Sequence, residues 1–317
     1  MSFIDRVDPE LRAGLEAFPP DLLDMTDIPG TRLKFTEWMA GLPAAAVEGV
    51  SVEEHRAPGP SGSPAVTILL YRPDGHPGVL PAVLWIHGGG YVLGQARDDD
   101  ALARGLARNV KCVVASVDYR LAPEHPFPAP LEDCYAALRW LWGNAARLAV
   151  DPSRIAVAGA SAGGGLAAGL ALLARDRGEV PVRFQVPIYP MIDDRGLTFS
   201  SRAITDPLVW NARSNMLGWK AYLGQEPGGE GVSPYAAAAR AADLAGLPPA
   251  FIPVGDLDLF LDENVEYAQR LMRAGVPTEL HVYAGAYHGF YLMAPEADVS
   301  LRFIRDYEHA LRRALHG

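Results

Sequence analysis

The chain has 317 residues, of which 49% are hydrophobic and 21% are charged, as in ordinary globular proteins. Its formal net charge of −10 makes it a poor electrostatic match for nucleic acid or anionic lipid, so neither is expected as a partner. The N-terminus has no uninterrupted apolar segment, and the apolar runs elsewhere are too short to span a bilayer. A cytoplasmic location is therefore the expectation.

The first 48 residues have a helical pattern in which the larger apolar side chains are scattered, among them Phe35, Trp38 and Met39. They precede the first strand-like run and do not fit the strand–helix alternation that follows. We interpret residues 1–48 as the N-terminal part of a helical cap. The alternative is that they are ordinary helices that cover the core.

Apolar runs rich in β-branched residues then alternate with helical patterns. The predicted strands are 66–73, 82–88, 112–119, 154–160, 184–190, 250–255 and 279–284, and the predicted helices are 98–108, 131–147, 162–177, 263–274 and 298–315. Several strands are apolar at consecutive positions, which is typical of strands covered on both faces. The sequence therefore predicts an α/β fold with a mostly parallel central sheet and helices on both faces.

One internal segment, residues 195–230, interrupts this alternation and is rich in aromatic residues. We interpret it as an insertion that completes the cap, which divides the core into residues 49–194 and 231–317. Its large side chains Leu208, Trp210, Met216 and Trp219 are candidate walls of a substrate pocket, together with Tyr91 and the three cap residues named above. The two cysteines, Cys112 and Cys134, are predicted to be buried free thiols.

The run His87-Gly88-Gly89-Gly90 follows the predicted strand 82–88. Consecutive glycines allow the backbone to approach a substrate carbonyl and to point N–H groups at it, so we predict an oxyanion hole here. A flexible turn is the alternative. His87 itself is expected to shape the loop through hydrogen bonds.

Gly159-Ala160-Ser161-Ala162-Gly163 lies between a strand-like run and a helical run. This G-x-S-x-G pattern, in a strand–turn–helix setting, predicts a nucleophile elbow that exposes the Ser161 hydroxyl above the sheet. The amide of Ala162 would be a further oxyanion donor. The alternative is a glycine-rich helix start that binds phosphate or only packs.

A serine nucleophile needs a histidine base and an acid. In chains with this order of strands and helices, the acid follows the serine and the histidine follows the acid. His288 lies in a glycine-bearing loop between the last strand and the last helix, whereas His281 falls within a strand and His309 and His316 on or beyond the final helix. The acid should follow the strand 250–255, where Asp256 and Asp258 both remain possible. Asp262 is read as a helix N-cap.

These motifs, with the long run DYRLAPEHPFPAPLEDC at 118–134, resemble the bacterial hormone-sensitive-lipase family of esterases over nearly the whole chain. The resemblance implies an α/β-hydrolase fold, selects Asp258 as the triad acid, and assigns the oxyanion donors to Gly89, Gly90 and Ala162. The chain departs from the family at Ala160, where Asp or Thr is common, and at Leu259, where the family has proline.

The resemblance implies a serine carboxylesterase that acts on a small-molecule ester through Ser161, His288 and Asp258, with no metal or organic cofactor. Bulky cap residues predict a preference for short to medium acyl chains. An amidase or deacetylase with the same triad, and a non-catalytic receptor of the same fold, are the alternatives. The sequence leaves open whether the chain forms a homodimer.

Overall fold

The computed structural model describes residues 2–19, 21–41, 47–60 and 62–317. The predicted N-terminal cap segment 1–48 is therefore described except for residues 1, 20 and 42–46, which lie outside these ranges. Within the described ranges, no helix combines the length and apolarity needed to cross a membrane.

Eight strands form one sheet in the order β1-β2-β4-β3-β5-β6-β7-β8. Their bounds are β1 Val50–Ala57, β2 Val66–Pro73, β3 Leu80–Ile86, β4 Val113–Asp118, β5 Val150–Ala160, β6 Phe184–Ile188, β7 Ala250–Leu257 and β8 Thr278–Tyr287. The β1–β2 and β2–β4 pairs are antiparallel and the other pairs are parallel. The predicted mostly parallel sheet is confirmed.

The seven predicted strands correspond to β2 to β8. All seven residues of β3 are buried, as expected for a strand covered on both faces. The sequence did not predict β1, because only its two end residues are buried and the residues between them include Glu53, Glu54 and Arg56. An exposed, charged edge strand carries no apolar alternation that could reveal it.

Eleven α-helices are found in the described ranges. Their bounds are α1 Phe3–Arg6, α2 Pro9–Glu16, α3 Ile28–Gly41, α4 Asp100–Val110, α5 Ala129–Gly143, α6 Ala162–Arg177, α7 Phe199–Ala203, α8 Ala212–Leu223, α9 Leu261–Arg273, α10 Phe290–Met293 and α11 Asp298–His316. The chain moves one way along the sheet from β3 to β4 and the opposite way from β4 to β5. Because parallel crossovers are right-handed, α4 lies on one face and α5 and α6 lie on the other.

The N-terminal segment has two different surroundings. Leu11 and Leu15 of α2 are buried in the core, and a side chain at Gly14 would clash with the backbone of Met293 in α10. By contrast, α3 contacts loops of the core through Arg32. The Arg32 guanidinium binds the carboxylate of Glu124 and the carbonyl of Val92. The segment therefore contains a core helix as well as a covering helix.

The inserted segment contributes α7 and α8. The hydroxyl of Ser214 in α8 donates a hydrogen bond to the carbonyl of Leu23, so the N-terminal and inserted segments meet. This contact fits the predicted two-part cap, and the domain boundaries stay predictions. Cys112 and Cys134 are buried and form no disulfide, which confirms the predicted free thiols.

Candidate active site

The adjacent strands β3 and β5 lead into helices on opposite faces of the sheet. A crevice opens at such a point, beyond the carboxyl ends of the two strands, and it is where open α/β sheets bind ligands. The glycine run 88–90 follows β3 and Ser161 follows β5. A Cβ atom built on Gly88 would lie 3.5 Å from Cβ of Ser161, so the two predicted motifs meet at this crevice.

Ser161 has the backbone conformation of a tight strand–helix turn, with φ of 58° and ψ of −119°. Residues other than glycine rarely adopt a positive φ, so the turn holds the Ser161 backbone in a strained conformation. The flanking glycines permit it: a Cβ on Gly159 would lie 2.5 Å from the carbonyl oxygen of Gly163, and a Cβ on Gly163 would lie 2.1 Å from that of Ile86. The geometry is that of a nucleophile elbow.

Ser161, His288 and Asp258 form one hydrogen-bonded chain. Nε2 of His288 lies 2.9 Å from Oγ of Ser161, and Nδ1 lies 2.7 Å from Oδ2 of Asp258. The Asp258 residue is 1% exposed, and its other oxygen accepts a hydrogen bond from the amide of Phe260 at 2.9 Å. The arrangement suits a carboxylate that orients an imidazole, which in turn contacts a nucleophile.

Asp256 has a different environment. Its Oδ1 accepts a hydrogen bond from the amide of Gly285 at 2.7 Å, so it ties the end of β7 to β8. Of the two aspartates that the sequence left open, the structure therefore brings Asp258, and not Asp256, to His288. The N-cap interpretation of Asp262 was wrong, because α9 begins at Leu261, and Asp262 therefore lies inside the helix. Its carboxylate accepts a hydrogen bond from the amide of Ser200.

Two aromatic rings hold the imidazole of His288 on its sides. Tyr189 lies 4.6 Å from it, centroid to centroid, and Phe260 lies 5.2 Å away, both edge to face. Tyr189 itself has a positive φ of 30°, and its amide donates to the carbonyl of Pro253. The YP pair at 189–190 marks the position of Tyr189 in the sequence, but its contact with the imidazole was not predicted.

The amides of Gly89, Gly90 and Ala162 donate to no acceptor in the described part of the chain. Ala162 is the first residue of α6, where a helix amide has no partner within the helix. Gly89 and Gly90 have φ of 110° and 60°, which glycine adopts readily. These three predicted oxyanion donors are thus available to a ligand at Ser161.

His87 is 2% exposed, and its ring stacks on that of Tyr119 at 4.2 Å. Its Nδ1 lies 2.8 Å from the carbonyl oxygen of Gly88, and the Tyr119 hydroxyl donates to the carbonyl of His87. These contacts shape the glycine loop, as the sequence analysis expected of His87.

A cavity of about 600 Å³ lies above Ser161 and His288. Five of the predicted pocket residues line it, namely Phe35, Trp38, Met39, Leu208 and Trp210. The indole of Trp210 covers the glycine loop, because a Cβ on Gly90 would lie 2.2 Å from its ring. Apolar residues that the sequence analysis missed also line it, namely Phe18, Leu23, Leu292 and Met293.

Three predicted pocket residues do not line this cavity. Tyr91 is buried against α6, stacks on Tyr222 at 3.8 Å, and donates a hydrogen bond to the carbonyl of Met191. Trp219 is 1% exposed and packs on Tyr91, while Met216 points outward and is 51% exposed. Each corrects the prediction. For Met216 and Trp219 the reason is that the phase of α8, which decides which of its side chains face inward, could not be read from the sequence. For Tyr91 the reason is that its direction depends on packing against α6.

The described residues contain no group of three or more His, Cys, Asp or Glu side chains that could hold a metal ion.

The chain as a whole is similar to known esterases in sequence and in structure. A family model described as the alpha/beta hydrolase fold matches residues 83–292. Carboxylesterase NlhH of Mycobacterium tuberculosis is 37% identical over 314 residues, which cover 98% of this chain and 97% of that protein. The structure of a bacterial heroin esterase superposes with a TM-score of 0.96 at 45% identity, covering 100% of both chains. That of esterase LipW from Mycobacterium marinum superposes with a TM-score of 0.89 at 40% identity, covering 99% of this chain and 98% of that one.

Proposed function

Because the chain belongs to the hormone-sensitive-lipase family of α/β-hydrolase esterases, we propose that it hydrolyses carboxylic esters through Ser161, His288 and Asp258. The observation that carries the proposal is the continuous hydrogen-bonded chain from Asp258 through His288 to Oγ of Ser161, which opens into the cavity. The presence of the histidine argues for an enzyme rather than a receptor of the same fold.

In the proposed reaction, Nε2 of His288 takes the Ser161 proton while Oγ attacks the ester carbonyl. Asp258 keeps the imidazole in the required tautomer and stabilises the cation that forms. The imidazolium then protonates the departing alcohol, which leaves an acyl-enzyme on Ser161. A water molecule, deprotonated by the same histidine, attacks the acyl group and releases the acid.

The tetrahedral intermediate carries an oxyanion, which the amides of Gly89, Gly90 and Ala162 would bind. Backbone donors held rigidly in a partly buried site stabilise this charge without reorganisation, and loss of one typically costs about 3–4 kcal/mol of transition-state stabilisation. The strained turn at Ser161 supports the proposal, because it presents the hydroxyl and the Ala162 amide to the same side of the cavity.

The cavity supports an acyl preference for short to medium chains. Its walls are largely apolar, so each added methylene gains about 0.8 kcal/mol until the acyl chain reaches the wall. Trp210, Phe35 and Trp38 bound it with large, inflexible rings. Longer acyl chains would then clash rather than bind more tightly.

The test is a survey of kcat/KM across p-nitrophenyl esters of increasing acyl length, with one p-nitroanilide of the best acyl group. We expect a maximum at a short or medium chain, a decline for long fatty esters and far slower anilide cleavage. Ser161→Ala and His288→Ala should each remove nearly all turnover while the protein stays folded by circular dichroism. Near-wild-type turnover in Ser161→Ala would refute the proposal, and faster anilide cleavage would make the enzyme an amidase.

A further inference from the structure

Three consecutive aspartates, Asp98, Asp99 and Asp100, line one side of the otherwise largely apolar cavity. The carboxylate of Asp98 accepts hydrogen bonds from Gln95, and that of Asp100 pairs with Arg104. Asp99 lies in the turn before α4 and lines the same cavity as Ser161 and His288. Its Oδ2 accepts a hydrogen bond from the indole nitrogen of the buried Trp85 at 2.7 Å. Its Oδ1 accepts none from the described residues, and no lysine or arginine in those ranges pairs with it.

The surroundings of Asp99 disfavour an isolated negative charge. Burial raises the pKa of its carboxyl, while the hydrogen bond from Trp85 lowers it. The charge of Asp99 also contributes to the raised pKa values of Tyr189 and Tyr291, both dominated by burial. Both tyrosines line the cavity together with Asp99. The Tyr291 ring contacts the Tyr189 ring, which in turn contacts the imidazole of His288.

A second polar atom in this wall lacks a partner. Nε2 of His87, a residue only 2% exposed, makes no hydrogen bond to the described residues, and His87 lines the same cavity. Buried polar atoms are seldom left unpaired unless a ligand or water completes them. Asp99 and His87 thus form a polar part of the wall of the cavity that Ser161 and His288 also line.

We propose that Asp99 binds a positively charged group of the substrate, so that the preferred esters carry an alkylammonium group. The inference rests on the proposed ester hydrolysis and specifies its substrate class. A cation supplies the counter-charge that this half-buried carboxylate, which has no basic partner among the described residues, lacks.

The test compares two pairs of esters that differ in charge but hardly in shape. One pair varies the acyl part, p-nitrophenyl 4-(trimethylammonio)butanoate against p-nitrophenyl 5,5-dimethylhexanoate. The other varies the alcohol part, acetylcholine against 3,3-dimethylbutyl acetate. We expect the ratio of kcat/KM, cationic over neutral, to exceed about ten in at least one pair, which is the size of a partly desolvated cation contact.

Asp99→Asn removes the charge and keeps an acceptor for Trp85. We expect it to lower the cationic-to-neutral ratio about tenfold. The matched control is Asp98→Asn, one residue earlier, whose carboxylate accepts hydrogen bonds from the amide and side chain of Gln95. Asp98 lines the same cavity, so this variant removes the same charge from the same wall. It should leave the ratio within about twofold, because both Asp98 oxygens already accept hydrogen bonds from Gln95 and its charge is screened.

Equal hydrolysis of the charged and neutral partners by the wild-type enzyme would overturn this inference and leave the proposed function standing. An equal effect of both aspartate variants on the ratio would overturn it as well, because only general electrostatics would remain. Hydrolysis of neither ester would refute the proposed function itself. Ligand-observed NMR with choline and with 3,3-dimethylbutan-1-ol tests Asp99 independently of turnover: selective choline binding that is lost in Asp99→Asn supports the inference, and selective binding that is unchanged in a folded Asp99→Asn overturns it.

Discussion

At the scale of single residues, two aspartates only two positions apart have different tasks. Asp258 hydrogen-bonds to Nδ1 of His288, whereas Asp256 binds the amide of Gly285 in β8. Both follow the same strand and both are plausible from the sequence, because a loop pattern does not state which way its side chains point. Only the resemblance to a known family selected between them.

We therefore expect Asp258→Asn to lower kcat by about 10³–10⁴-fold, because the amide favours the wrong imidazole tautomer. Asp256→Asn is the matched control and should lower kcat by less than about tenfold, since it perturbs one backbone hydrogen bond. Turnover of a p-nitrophenyl ester, measured for both purified variants, decides the matter. The opposite ranking would contradict the assignment of Asp258.

Trp210 and Met216 form a second informative pair of residues. The Trp210 ring lies against the glycine loop and lines the cavity, whereas Met216, six residues later, is exposed. Trp210→Ala should extend the preferred acyl chain, with up to about a fourfold gain in kcat/KM for each methylene newly accommodated, equivalent to about 0.8 kcal/mol.

Met216→Ala should leave the chain-length profile unchanged, because its side chain does not reach the cavity. The measurement is the same ester series, with thermal unfolding recorded in parallel and Trp210→Phe as an intermediate volume. An unchanged profile in Trp210→Ala would show that another wall sets the limit.

Residue-level chemistry was the most predictable part of the molecule. Ser161, His288 and the glycine run have fixed types and fixed positions relative to strand ends, so the sequence displays them. The pocket was predicted less well, since Tyr91, Met216 and Trp219 belong to the right regions but face away from the cavity. The direction of a side chain in a loop or in a helix of the inserted segment depends on tertiary packing, which no local sequence pattern encodes. Asp99 was missed for the same reason.

At the scale of secondary-structure elements, α3 contributes residues to the wall of the pocket, and its Arg32 makes several polar contacts with the core. Arg32 binds Glu124 through both terminal nitrogens and also reaches the carbonyls of Val92 and Ala122. These partners lie in loops beside the glycine run and before α5. The helix that carries Phe35 and Trp38 is thus fastened to the core by a charged clamp.

We expect Arg32→Ala to loosen α3 and to raise KM for medium-chain esters, about fivefold for each kcal/mol of fixing energy lost. kcat for an acetate ester should change little, because the triad does not contact Arg32. Lys34→Ala, an exposed position on the same helix, is the control. Equal KM values for all three proteins would show that α3 is held by its apolar contacts alone.

The elements themselves were predictable where burial is two-sided or the apolar stripe is regular. The strands β2 to β7 satisfy the first condition for most of their length, and α11 satisfies the second, whereas β8 is only partly buried. The edge strand β1 satisfies neither, because it pairs only through its backbone and shows charged side chains to solvent. The β1 strand forms only because β2 lies beside it, so the tertiary fold determines it and the local sequence of residues 50–57 does not.

At the scale of the whole molecule, the N-terminal segment links the cap to the core. Leu11 of α2 is fully buried, and its carbonyl accepts a hydrogen bond from the hydroxyl of Tyr287, the residue before His288. Removing residues 1–40 would therefore disturb the loop of the base as well as the pocket wall. The sequence predicted only a cap segment here, with core-covering helices as the alternative.

Leu11→Ala should lower the free energy of unfolding by about 2–5 kcal/mol, the range for truncation of a fully buried leucine. Leu33→Ala is the control, because Leu33 is 67% exposed, and it should change stability by no more than about 0.5 kcal/mol. Urea unfolding followed by circular dichroism measures both. Similar values for the two variants would show that α2 adds little to the stability of the core.

The position of β8 affects how this enzyme would lose its activity. In the described part of the chain, β8 is the outermost strand and pairs with β7 alone, yet the histidine that contacts Ser161 follows directly from it. Peripheral strands open more readily than central ones, and such opening need not melt the rest of a domain. Mild heat or denaturant would then separate the imidazole from the serine while the interior strands stay paired. Inactivation would precede unfolding, and cooling or dilution would restore activity without refolding of the whole chain.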